Sequence, residues 1–114
     1  MLTLLIKKKW FDMIRSGEKK EEYREIKPYY TTRFIKWMGY PKAFISDDNE
    51  WFFNSLADIE LDRFTDKIKL RNGYSSNAPE LICECSLRIG YGKAEWGAEP
   101  NKKYFILEIH KIIE

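Results

Sequence analysis

Histidine and cysteine are scarce, with one His and two Cys among 114 residues. Zinc and its relatives take three or four nitrogen, sulfur or carboxylate ligands, and no such set can be assembled around Cys83, Cys85 and His110. Neither a metal nor another cofactor is expected. Cys83 and Cys85 stand two apart, so on a strand they share a face, and a disulfide between them would be strained. Two unbridged thiols suit a reduced, cytoplasmic protein. Long hydrophobic runs are missing as well. Nothing approaches the roughly 20 apolar residues of a membrane helix. The opening run from Met1 to Ile6 meets charge too soon for a signal peptide, so no membrane partner is expected.

What is present suffices for one folded domain spanning 1–114. The apolar fraction of 44% and the aromatic fraction of 16% argue against disorder, and the length allows a core without covalent staples. The net charge of +2 hides a division: residues 1–36 hold ten Lys/Arg against five Asp/Glu, and residues 37–114 hold ten against thirteen. A basic first third can steer a phosphate-bearing partner, or it can be a solvated face. Most of the acid lies in residues 47–66, which read as an acidic insertion that packs one apolar side down and contains a helix from Ser55 to Leu61.

The stretch from Ser16 to Pro28 is the most informative. From Glu18 to Arg24 only Tyr23 is even partly apolar, yet Gly17 and Pro28 bound the run like a structural element. Read as a strand, it points Lys20, Glu22 and Arg24 one way and Lys19, Glu21 and Tyr23 the other. An acid between two bases on one face suits a polar, anionic ligand, and it equally suits a charged surface exposed to water.

Around this stretch the periodicity predicts further elements. Leu2–Ile6 is an apolar run of strand length. Trp10, Phe11 and Ile14 mark a core-facing helix that stops at Gly17. A second helix runs from Tyr29 past Phe34, Trp37 and Met38 to Gly39, and Tyr40–Ser46 reads as a short extended piece. Asp66–Arg71 alternates as a half-buried strand, Asn72-Gly73 marks a tight turn, and Ser75–Pro79 is loop. Leu81, Cys83, Cys85, Leu87 and Ile89 form the inner face of a long strand. Gly90–Asn101 is a long loop of the kind that often carries function. Tyr104–Ile113 closes the chain as a strand, with His110 structural or facing solvent. The pattern predicts an α+β domain on a curled, mostly antiparallel sheet.

This order of features resembles the ASCH (activating signal cointegrator homology) domain family of the PUA-like superfamily. The resemblance rests on Gly17-x-Lys19-x-x-Glu22-x-Arg24 with Lys27-Pro28 and Arg33, then Asn72-Gly73-Tyr74, Gly90-Tyr91-Gly92 and Trp96-Gly97. It implies a small curled β-barrel with two or three short helices and a cleft beside the Gly-x-Lys strand. It also implies RNA or nucleotide binding. Some small members of the family remove the acyl group from N4-acetylated cytidine, and ribonuclease activity has been proposed for others. In the hydrolase type the motif reads Gly-x-Lys-x-x-Thr-x-Arg, with the Lys and Thr as the chemical pair and a Glu further along. Lys19 and Arg24 match, whereas the Thr position is Glu22, and Glu95 is the candidate for the later acid.

Two site readings follow. In the binding reading Lys19 meets phosphate, Glu22 holds the Arg24 guanidinium flat, Tyr23 or Trp96 stacks on a base, and Arg33 and Tyr74 complete the surface. In the hydrolytic reading Lys19 and Glu22 form an acid–base pair, aided by Glu95. A third reading assigns the acidic 47–66 segment to a protein partner.

Overall fold

The computed structural model describes residues 1–40, 49–56 and 64–113. Their elements follow in the order β1 (Leu2–Leu5), α1 (Lys8–Arg15), β2 (Glu21–Glu25), α2 (Pro28–Trp37), α3 (Glu50–Leu56), β3 (Thr65–Arg71), β4 (Glu80–Tyr91) and β5 (Lys103–Ile112). A single 3₁₀ turn at Ala94–Trp96 interrupts the loop between β4 and β5. The class is α+β, as the alternating periods predict.

Five strands form one curled, half-barrel sheet in the order β1-β3-β4-β5-β2. Three pairings are antiparallel, and β1 pairs with β3 in parallel, Leu2 beside Ile68 and Leu5 beside Arg71. The sheet is therefore mixed. The two edge strands, β1 and β2, are neighbours in sequence joined through α1, so curling the sheet brings them toward each other. Arg24 of β2 donates from Nη2 to the Leu5 carbonyl of β1 at 2.8 Å. One guanidinium thus spans the gap that a closed barrel would fill with backbone hydrogen bonds.

The helices pack on the sheet by the stripes that the sequence displays. Phe11 and Ile14 of α1 are buried, and the helix ends through Gly17 at φ 85°, a conformation that costs glycine little. Phe34 and Ile35 of α2 and Phe52 of α3 are fully buried, and the Phe34 ring meets Phe105 of β5 edge-on at 5.0 Å. Trp37 donates its indole N–H to the Lys67 carbonyl at 2.9 Å, pinning α2 to β3. The described helix in the acidic segment, Glu50–Leu56, lies earlier than the expected Ser55–Leu61. Residues 57–63, and all of the Tyr40–Ser46 piece after Tyr40, lie outside the described residues.

Both faces of β5 are covered. Phe105 and Leu107 belong to the main core, while Tyr104 and Ile106 pack with Ala98 and Tyr23 in a second cluster. The long β4–β5 loop supplies that second cover by folding back over the sheet. This fixes the loop against β2 and gives the residues around Trp96 a defined place.

Cys83 and Cys85 are both free and buried on the inner face of β4, as their spacing predicts. Burial pushes the Cys83 thiol up to about 11, above its ordinary range. Burial raises Cys85 as well, with Cys83 and Glu84 adding to it. A folded-state pKa above the unfolded one means the thiol's contribution to stability is complete below about pH 9. It is lost as the pH climbs through the folded value. Stability is therefore expected to fall on the alkaline side by up to ~3 kcal/mol from Cys83. Denaturation midpoints measured from pH 7 to pH 11 test this. A midpoint flat across that range in the parent, or the same decline in Cys83→Ala, would contradict it.

Candidate functional site

Lys19 decides the character of the site. It precedes β2, and its backbone N–H bonds the Met13 carbonyl at 2.9 Å where the chain turns back after α1. Strand alternation starts only at Glu21, so Lys19 does not face away from Glu22 as a continuous strand would place it. Its side chain turns inward and is 1% exposed. Lys20 is exposed instead. The expected face of Lys20, Glu22 and Arg24 is thus replaced by one of Lys19, Glu22 and Arg24.

These three side chains form a buried chain of charge. Lys19 Nζ lies 3.1 Å from Glu22 Oε1, and Arg24 Nη2 lies 2.7 Å from Glu22 Oε2. Both carboxylate oxygens are therefore engaged by cations. Lys19 also donates to the Trp96 carbonyl and sits 4.3 Å from the Trp10 ring centroid and 5.2 Å from that of Tyr23. Burial lowers the Lys19 pKa from its ordinary value, with the nearby Glu22 carboxylate opposing the shift. For Arg24 burial also works against the charge, but Glu22 and the Tyr30 hydroxyl outweigh it and hold the guanidinium above its ordinary value. Arg24 Nη1 donates to Tyr30 Oη at 3.2 Å, while its Nε is buried with no hydrogen-bond partner.

The triad lines a cleft of ≈ 410 Å³, within the range of small-molecule sites. Leu5, Ile6, Lys7 and Trp10 come from β1 and the start of α1. Lys27 and Tyr30 come from the start of α2, and Trp96, Gly97, Glu99, Lys102 and Tyr104 from the β4–β5 loop and β5. Tyr23 is also a wall residue, but its ring is tied down. Its hydroxyl donates to Glu21 at 2.7 Å and accepts the Lys93 N–H at 2.9 Å. Trp96 remains half-exposed at the rim.

Lys19, Glu22, Tyr23, Arg24 and Trp96 are thus brought together. Arg33, Tyr74 and Glu95 are not among the lining residues. Arg33 stacks 3.5 Å over the Tyr29 ring and donates to the Tyr29 carbonyl on α2. Tyr74 is 88% exposed in the β3–β4 turn, and Glu95 is exposed on the 3₁₀ turn. Sequence reasoning missed Lys7, Trp10, Tyr30 and Lys102. Trp10 reads as core from its helical spacing, and Tyr30 as one more aromatic of the α2 stripe.

Elsewhere, Arg88 bridges Glu21 and Glu108 at 2.9 and 3.0 Å, and Ser86 Oγ lies 2.8 Å from His110 Nε2. No helix of the described residues is long and apolar enough to cross a membrane. Among the same residues, no group of three His, Cys, Asp or Glu could hold a metal ion. No protein family, curated protein or solved structure matches this chain.

Proposed function

We propose that the chain is an ASCH-like, PUA-like domain whose cleft binds a nucleotide, free or as a unit of RNA. The observation that carries this reading is the buried Lys19–Glu22–Arg24 chain opening on a ≈ 410 Å³ cleft that also contains Trp10 and Trp96. Two cations on one carboxylate leave a positive charge at the cleft wall. A flat, half-exposed indole at the rim gives a base a surface to stack on. Aromatic stacking is sequence-tolerant, which fits a module that recognises nucleotides as a class.

The test is titration with the four ribonucleoside 5′-monophosphates and a uridine hexamer, followed by tryptophan fluorescence. Saturable binding that weakens with salt is expected. Trp96→Ala is expected to weaken it by about 5- to 150-fold, the range that ~1–3 kcal/mol of stacking represents. Absence of saturation with every one of these ligands would sink the reading, and so would equal affinity in Trp96→Ala.

One observation bears on hydrolysis of a modified nucleoside in the same cleft: burial lowers the Lys19 pKa from its ordinary value, with Glu22 opposing the shift, the direction a general base needs. Against it, both Glu22 oxygens already hold cations, and Glu95 lies outside the cleft. Incubation with N4-acetylcytidine decides the matter, since this reading requires acetate release that Lys19→Ala abolishes.

A further inference from the structure

We infer that the cleft has two unlike ends and that one of them, formed by Lys7, Arg24 and Lys27, is a seat for a phosphate group. This rests on the nucleotide reading and sharpens it: the ligand must be phosphorylated, and a neutral nucleoside is a poor one. Lys19 does not supply the phosphate contact, because its amine is enclosed by Glu22, the Trp96 carbonyl and the Trp10 ring.

Contacts link Arg24 to Lys27 through Tyr30, and Arg24 to the strand end that precedes Lys7. Arg24 reaches the Leu5 carbonyl, two residues before Lys7, and the Tyr30 hydroxyl, whose ring lies 5.4 Å below Lys27 Nζ. Lys7 and Lys27 are exposed, and both line the cleft. Arg24 is held in place by three fixed acceptors, yet its Nε remains buried and unpartnered.

Each acid of the cleft already faces a cation. Glu22 is consumed by Lys19 and Arg24, and Glu99 pairs with Lys102 at 3.4 Å. Glu25 acts with Glu99 to raise the Lys102 pKa, after burial that works against them. Cations at the Lys7–Lys27 end are therefore the less compensated ones.

Two helix starts reinforce this charge. Lys7 is the N-cap of α1 and Lys27 the N-cap of α2, neither making a side-chain capping bond, and neither helix has an acid in its first turn. Helix N-termini carry partial positive charge and favour Ser, Thr, Asp or Asn at the cap and acids just inside. Placing lysine at both caps runs against local stability, and an anion between them reverses the sign of that effect. The two indoles, Trp10 and Trp96, gather around Lys19, which meets the Glu22 oxygen that Arg24 does not. A phosphate and a base at opposite ends of a nucleotide match this polarity.

The experiment measures affinities of the parent, Lys7→Ala/Lys27→Ala and, as a control away from the cleft, Lys36→Ala. The probes are cytidine and adenosine, their 5′-monophosphates, inorganic phosphate, and a uridine hexamer with and without a 5′-phosphate. Both substituted lysines of the seat are exposed, so thermal melts should confirm an intact fold. The parent is expected to bind monophosphates at least about 10-fold tighter than nucleosides, the scale of one charge-assisted hydrogen bond. The double variant should erase that difference, and Lys36→Ala should keep it. Hexamer binding without a 5′-phosphate that drops in the double variant identifies a phosphodiester in the seat. Hexamer binding that needs the 5′-phosphate identifies a terminal monoester.

Nucleosides binding as tightly as their monophosphates would overturn the phosphate seat while leaving base recognition standing. Inorganic phosphate binding that the double variant abolishes, with no effect of a base, would keep the seat and overturn the nucleotide reading. No binding of any probe overturns both.

Discussion

Replacing Glu22 by glutamine is expected to destabilise the protein by about 3–5 kcal/mol, the cost of stranding charge after one partner of a buried ion pair is removed. The variant leaves Lys19 and Arg24 side by side, 1% and 12% exposed, with a neutral amide between them. At roughly 4 °C per kcal/mol for a domain of this size, the melting temperature should fall by about 12–20 °C. The triple change Lys19→Met, Glu22→Leu, Arg24→Met should recover part of that loss, because apolar groups of similar volume remove the desolvation cost, but not the share that Arg24 contributes by joining β2 to the Leu5 carbonyl. It should not recover ligand binding. Thermal denaturation of the three proteins at pH 7 supplies the measurement. A Glu22→Gln midpoint within a few degrees of the parent would mean that water reaches these charges and that the buried triad is not as described.

Gly97→Ala is expected to cost about 2–4 kcal/mol, from left-handed strain and overpacking together. Gly97 adopts φ 104°, and an added Cβ would lie 2.9 Å from Trp10 Cζ2. The indole cannot retreat freely, since the Lys19 ammonium lies over it at 4.3 Å. The peptide preceding Gly97 carries the Trp96 carbonyl that accepts from Lys19. Relaxing φ at Gly97 tilts that peptide, so strain there reaches the charge chain through one hydrogen bond. Thermal melts and the nucleotide titration should both respond. If Gly97→Ala melts like the parent and binds as the parent does, the loop is not seated on Trp10.

Much of the fold is legible in the residues because local chemistry decides it. Gly17 and Gly39 stop their helices at positive φ, and Cys83 and Cys85 fall on the buried face that period-two alternation assigns them. What resisted reading depends on distant partners or on turns. Lys19 sits where alternation would be expected, but the turn after α1 reorients it before the strand begins. The parallel pairing of β1 with β3 joins segments more than sixty residues apart, and no local signal announces it. Lys19, Glu22 and Arg24 of the motif do come into contact. Arg33 and Tyr74, taken from the same resemblance, lie outside the cleft, since a shared motif says nothing about which side of a helix or turn faces it. Trp10 was hidden by a stripe that serves packing and the cleft at once.

The Arg24 bridge to the Leu5 carbonyl carries a wider consequence. The residue that stitches the open side of the half-barrel also lines the cleft in which the proposed guest would sit. Position 24 is therefore closed to gradual retuning, because any replacement that alters the guest's welcome also unfastens the two rims of the sheet. Changes of preference must come from the surrounding lysines and the overlying loop, which can vary without opening the seam.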